Sequence, residues 1–173
     1  MAAVFVRVFV ALVFSLAMAS VGATELKDLP GAVAPPVTLQ DVDGRTHRLG
    51  DFQGRLVLVH FWATWCPPCM DEMLSLEALE RRLGKERLTV LAINIGESRE
   101  KIRQFVDHMS LDLLVLRDTD MGVFRQWGGK AVPSTWVVDG GQRVRAVAVG
   151  ERVWDDAAIV KRLETIGRPT RQP

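Results

Sequence analysis

The stretch Phe61-Trp62-Ala63-Thr64-Trp65-Cys66-Pro67-Pro68-Cys69-Met70-Asp71-Glu72-Met73 decides the fold. It holds both cysteines of the chain, two residues apart, with two prolines between them. Immediately upstream, residues 55–63 (RLVLVHFWA) form a near-continuous apolar run rich in valine and aromatics. Such a run suits a central strand covered on both faces. Downstream, Pro67 sets φ for a first helical turn. Met70, Met73, Leu74, Leu76, Leu79 and Leu83 then supply an apolar stripe at helical spacing, and Gly84 ends it. Cys66 is thus expected just past the carboxyl end of a strand and at a helix amino terminus, where open α/β sheets place their ligands.

Further along, residues 87–96 read as a second buried strand. Residues 98–109 read as a helix capped by Ser98, with Ile102, Phe105, Val106 and Met109 on one face. Residues 111–118 form a third strand, and residues 121–128 a brief helical piece before Gly128-Gly129. Residues 134–150 give two strands around an Asp139-Gly140 turn, an antiparallel pair expected at a sheet edge. Residues 154–167 read as a closing helix. Upstream of the central strand, residues 37–49 alternate around Asp43-Gly44 as an N-terminal hairpin. Strands alternating with helices imply an α/β domain with a mixed central sheet flanked by helices.

The chain has 173 residues, 48% of them hydrophobic, which suffices for one domain with its own core. It carries 22 Lys and Arg against 21 Asp and Glu, and without Arg7 the two balance. No basic stripe or tail is present, which argues against nucleic acid as a partner. Residues 1–23 have a single charge, Arg7, then the apolar run Val8–Ala19. Twelve residues match a signal-peptide core and fall short of the ~20 needed to span a bilayer. Ala17-Met18-Ala19 and Val21-Gly22-Ala23 both offer small-x-small cleavage sites. Residues 1–23 therefore read as a secretory signal peptide, with an uncleaved membrane anchor as the competing reading. Residues 24–36 read as a linker or extended lead-in, and residues 37–168 as the folded domain.

Export changes what two cysteines mean, because disulfides persist outside the cytosol. A bridge between Cys66 and Cys69 closes almost no loop and so constrains the unfolded chain little. Its purpose is chemical. A helix amino terminus favours the thiolate that attacks disulfides. Cys66 is expected to face solvent and attack, and Cys69, inside the first turn, to face in and resolve the mixed disulfide. Pro68 has no N–H, which leaves Cys69 N–H as the main local donor to a Cys66 thiolate. A zinc site would need two more ligands. No further cysteine exists, and His47, His60 and His108 are scattered. No metal or organic cofactor is expected beyond the dithiol itself.

The phrase VLVHFWATWCPPCMDEM resembles the active-site segment of the thioredoxin superfamily, in its exported TlpA-like or ResA-like branch of thiol:disulfide oxidoreductases. The likeness covers about residues 32–166, through VLAINIGE to VPSTWVVDGGQRV. The resemblance implies a thioredoxin fold, periplasmic residence or membrane attachment, and a reducing role. Implied substrates are protein disulfides such as the haem-site pair of apocytochrome c, in cytochrome c maturation. Electrons would come from a membrane partner of the DsbD or CcdA type. Pro133 matches the family's cis-proline, and its role would be to expose the Val132 backbone to a substrate peptide. Trp65, with Pro67 and Pro68, would line the contact surface beside Cys66. Glu72 occupies a position where the family often has an acid. Burial there would raise its proton affinity and let it accept the Cys69 proton.

His60 departs from the pattern, since thioredoxins have an acid there and TlpA-like chains often an asparagine. It could shuttle protons, but a neutral, hydrogen-bonded core histidine is the stronger reading. A buried cationic form would lower thiol pKa values and weaken the reducing assignment. Gly129 also departs from the apolar residue expected. Two rival functions fit the same residues. One is an exported disulfide oxidant or isomerase on the same fold. The other is a non-catalytic metallochaperone-like module using Cys66, Cys69 and His60.

Overall fold

The computed structural model describes residues 26–168. The expected signal peptide, residues 1–23, lies outside the described residues. Eight strands form one sheet, in the order β1-β8-β7-β4-β5-β6-β2-β3. They are β1 (Lys27–Asp28), β2 (Thr38–Asp41), β3 (Thr46–Arg48), β4 (Leu56–Trp62), β5 (Leu88–Ile95), β6 (Leu114–Asp118), β7 (Ser134–Val138) and β8 (Val144–Val149). The helices are α1 (Pro67–Leu83), α2 (Arg99–Met109), α3 (Gly122–Gln126) and α4 (Ala157–Ile166).

The centre of the sheet follows from the apolar runs. Every residue of β4 and β5 is buried, and the two strands pair in parallel from Leu56↔Leu88 to Trp62↔Asn94. β6 continues the parallel set, while β7 pairs antiparallel to β4. Right-handed crossovers from β4 to β5 and from β5 to β6 put α1 and α2 on one face. The side chains agree: His60 meets α1 at Glu72, and Trp62 meets α2 at Phe105, with ring centroids 4.9 Å apart. Phe61 points to the other face. There it packs edge-on against Phe124 and Trp136, at 5.2 and 5.4 Å, with Trp127 at 6.3 Å. Each fully buried aromatic of this kind stabilises the fold by about 1.5–3 kcal/mol.

The margins of the sheet differ from the sequence reading. The hairpin β2–β3 joins the main sheet through β2 against β6. At the opposite margin, β8 is not an edge. Lys27–Asp28, inside the stretch read as a lead-in, pairs with Val147 and Ala146, and Arg162 of α4 bonds the Asp28 carboxylate.

Two helices also differ. Leu74 is 52% exposed, whereas Glu72 and Glu80 are buried on α1. A carboxylate can take a core position when a buried donor meets it, and Glu80 accepts the Val90 N–H at 2.8 Å. The closing helix starts at Ala157, not at Trp154. The Asp156 side chain accepts from Ala158 and Ile159 N–H and so fixes the start. This leaves Trp154 in a loop, fully buried and free to reach α1.

Candidate active site

β4 ends at Trp62, and three residues later the chain enters α1 with Cys66 as the cap and Pro67 and Pro68 in the first turn. Cys66 and Cys69 are joined as a disulfide, with Cα atoms 5.3 Å apart. Trp65 beside them is 61% exposed. Pro67 is exposed and Pro68 half-buried. The expectation of an open Cys66 needs correcting. Cys66 is 5% exposed and Cys69 fully buried, so an attacking sulfur meets only an edge of the bridge. The donor expectation also changes, because Cys69 N–H bonds the Cys66 carbonyl at 3.0 Å. A Cys66 thiolate would have to share that donor.

One turn behind Cys69, Glu72 is 1% exposed. Its Oε1 accepts the indole N–H of Trp154 at 3.0 Å, and its Oε2 has no partner. Burial pushes Glu72 up to about 8, against the downward pull of the Trp154 N–H and of the Arg152 backbone and charge. His60 Nδ1 lies 3.8 Å from Glu72 Oε2 and 2.9 Å from Thr135 Oγ1, and its Nε2 has no partner. Burial holds His60 down at about 3, so the ring is neutral at physiological pH. Helix and sheet therefore bring His60 and Glu72 together one helical turn after Cys69, with the histidine in its uncharged form.

Sequence reasoning missed Glu97. This carboxylate, 7% exposed, holds the turn that leads into the cysteines. It accepts Thr64 N–H at 2.7 Å, Thr64 Oγ–H at 2.6 Å and Asn94 Nδ2–H at 2.8 Å, and it pairs with Lys101 at 2.6 Å. Burial alone would raise Glu97, but the bonds from Lys101, Thr64 and Asn94 hold it at about 2. The signal was present: Asn94 is a polar residue near the carboxyl end of a strand that is apolar apart from Thr89, and that end of an α/β strand is where sites form.

Across the fold, the Val132–Pro133 peptide is cis. Pro133 is buried and Val132 half-buried. The Pro133 carbonyl accepts Gly150 N–H at 2.9 Å, which ties this turn to the loop after β8. On the approach to Pro133, a Cβ on Gly129 would stand 2.1 Å from the Phe124 ring. A glycine thus replaces the expected apolar residue because Phe124 already fills that space. Among the described residues, no group of three or more His, Cys, Asp or Glu could hold a metal ion.

Residues 30–147 match the model of the AhpC/TSA family. The thiol-disulfide oxidoreductase ResA of Geobacillus thermodenitrificans is 32% identical over 136 residues, covering 79% of this chain and 77% of that protein. ResA of Bacillus subtilis is 28% identical, covering 79% of each chain. The crystal structure of a thiol:disulfide interchange protein of the thioredoxin family from Chlorobium tepidum superposes with a TM-score of 0.68. It is 26% identical and covers 79% of this chain and 98% of that one.

Proposed function

We propose that this chain, which belongs to the AhpC/TSA family and is a thioredoxin-fold thiol:disulfide oxidoreductase of ResA type, works in the reducing direction on disulfides of exported proteins. The observation that carries the direction is the poverty of charge around Cys66. His60 is neutral, Pro67 and Pro68 offer no N–H, and Cys69 N–H is already engaged. A poorly stabilised thiolate makes the dithiol form costly, and a costly dithiol is a good reductant.

In the proposed cycle the Cys66 thiolate attacks one sulfur of a substrate disulfide. That bond breaks, and the other substrate sulfur leaves as a thiolate. Cys69 then gives its proton to the Glu72 carboxylate and attacks Cys66. The second substrate thiolate departs, and the Cys66–Cys69 disulfide forms. Two electrons have passed to the substrate, and the proton rests on Glu72. Its proton affinity, raised to about 8, keeps the proton there at neutral pH. His60 adds no charge to this step: burial holds its proton affinity at about 3, so the ring stays neutral beside Glu72. The Val132 backbone, next to the cis-proline, would pair with the substrate chain, while Trp65, Pro67 and Pro68 flank it.

Residues 1–23, read as an export segment, support a periplasmic location. There, the haem-site disulfide of apocytochrome c is a fitting substrate, and a membrane donor of the DsbD or CcdA type would regenerate the dithiol. Trapping tests the reading. A Cys69→Ala chain lacks the resolving sulfur and should accumulate mixed disulfides with exported proteins, released by reductant. If Cys66 still alkylates in that variant but no exported protein is held, the reading fails.

A further inference from the structure

We infer that Arg152 and Trp154, on the loop running from the end of β8 to α4, are positioning residues that hold Glu72 for proton transfer. This rests on the role of Glu72 given above. The loop is tied at both ends of the site. Gly150 N–H bonds the Pro133 carbonyl at 2.9 Å, and Trp154 N–H bonds Ser75 Oγ of α1 at 3.1 Å. Between these anchors the indole N–H of Trp154 meets Glu72 Oε1 at 3.0 Å. The Arg152 guanidinium lies over the Trp154 ring, 5.7 Å from its centroid.

Arg152 is the unusual member. It is 8% exposed, and its Nε and Nη2 have no hydrogen-bond partner. A buried cation without a hydrogen-bond partner is costly unless an opposite charge compensates it. Glu72 is the carboxylate whose charge acts on it. In the disulfide form Glu72 carries a proton at neutral pH, and Arg152 is left unpaired. Once Glu72 ionises, as it must before it can accept the Cys69 proton, Arg152 supplies the compensating charge and Trp154 supplies the donor. The other groups facing Glu72 do not take this role. His60, from β4, is neutral, and Glu151 pushes the proton affinity of Glu72 up.

The sign of each change follows. Removing the guanidinium or the indole N–H removes a downward pull, so Glu72 holds its proton to higher pH. Less carboxylate is then present at pH 7, and the resolving step slows. The test is single-turnover reduction of a model disulfide by the reduced protein, followed from pH 5 to 10. Trp154→Phe and Arg152→Met should each move the Glu72-dependent limb to higher pH and slow the step at pH 7 by about tenfold. Arg152→Lys should restore the wild-type limb. In a Glu72→Gln background, neither change should move the profile. A near-ultraviolet circular dichroism spectrum checks that each variant is folded, and Trp154→Phe keeps an aromatic ring in place. If Glu72→Gln flattens the limb but Trp154→Phe and Arg152→Met leave its midpoint unmoved, the inference is overturned while the role of Glu72 stands. If Glu72→Gln leaves the profile unchanged, that role fails and the inference falls with it.

Discussion

The disulfide sits between two buried carboxylates that behave in opposite ways. Glu97 holds the turn ahead of Cys66, and Glu72 lies one helical turn behind Cys69. They are 7% and 1% exposed, so both have left water. Yet Glu97 is held at about 2 and Glu72 is pushed up to about 8. Burial raises both. Glu97 receives three hydrogen bonds and a lysine, whereas Glu72 receives one indole N–H and keeps a bare oxygen. Deeper burial with a single side-chain donor makes Glu72 a proton carrier, and shallower burial with several donors makes Glu97 a fixed anchor.

The largest expected effect is on the anchor. Glu97→Ala leaves the Thr64 and Asn94 donors and Lys101 without their acceptor and should cost about 3 kcal/mol of stability, read from urea unfolding of the oxidised protein. A loss below about 0.5 kcal/mol would show that water replaces the carboxylate, and the contrast would break. Next comes direct titration of the carboxyl carbons by NMR. One buried glutamate should titrate near 8 and another near 2, and Glu72→Gln should delete the first. Two upward shifts would mean that depth alone rules.

A smaller effect is the pH profile of stability. Glu72 has a folded value near 8 against an ordinary 4.5, so its contribution is full below 4.5 and is lost as pH rises toward 8. His60, lowered from 6.5 to about 3, makes the opposite contribution, full above 6.5 and lost as pH falls toward 3. Between 4.5 and 6.5 the two slopes oppose each other, so stability should form a plateau that declines on both sides. Glu72→Gln should shrink the alkaline decline, leaving the part that belongs to Glu80, whose proton affinity burial also raises. The smallest effect is on the stability of Glu72→Gln itself at pH 6. The amide oxygen can still accept from Trp154, and the change should stay within about 0.5 kcal/mol.

Much of this was legible in the sequence, and the reasons are particular. The apolar runs of β4 and β5 and the strand–helix placement of Cys66 are local patterns, and a local pattern survives folding. Glu72 was found because the resemblance places an acid there, three residues after Cys69 on the same face of α1. Glu97 and Arg152 were not found, because their partners lie across the fold: Glu97 meets Thr64 from 33 residues away, and Arg152 acts on Glu72 from another segment. Trp154 was placed in a helix because its neighbours carry a helical pattern, and only the Asp156 cap shows where that helix starts. Leu74 was assigned to the core by the same periodicity. Polar side chains with distant donors overrode it at Glu72 and Glu80.

The direction of electron flow is the claim on which the rest depends, and one equilibrium measures it. Purified protein, incubated in a graded series of reduced and oxidised glutathione, should show half-oxidation of Cys66 and Cys69 at a potential below roughly −200 mV, toward the reducing end of the thioredoxin-fold range. A midpoint near about −120 mV, that of a strong oxidant, would contradict the account.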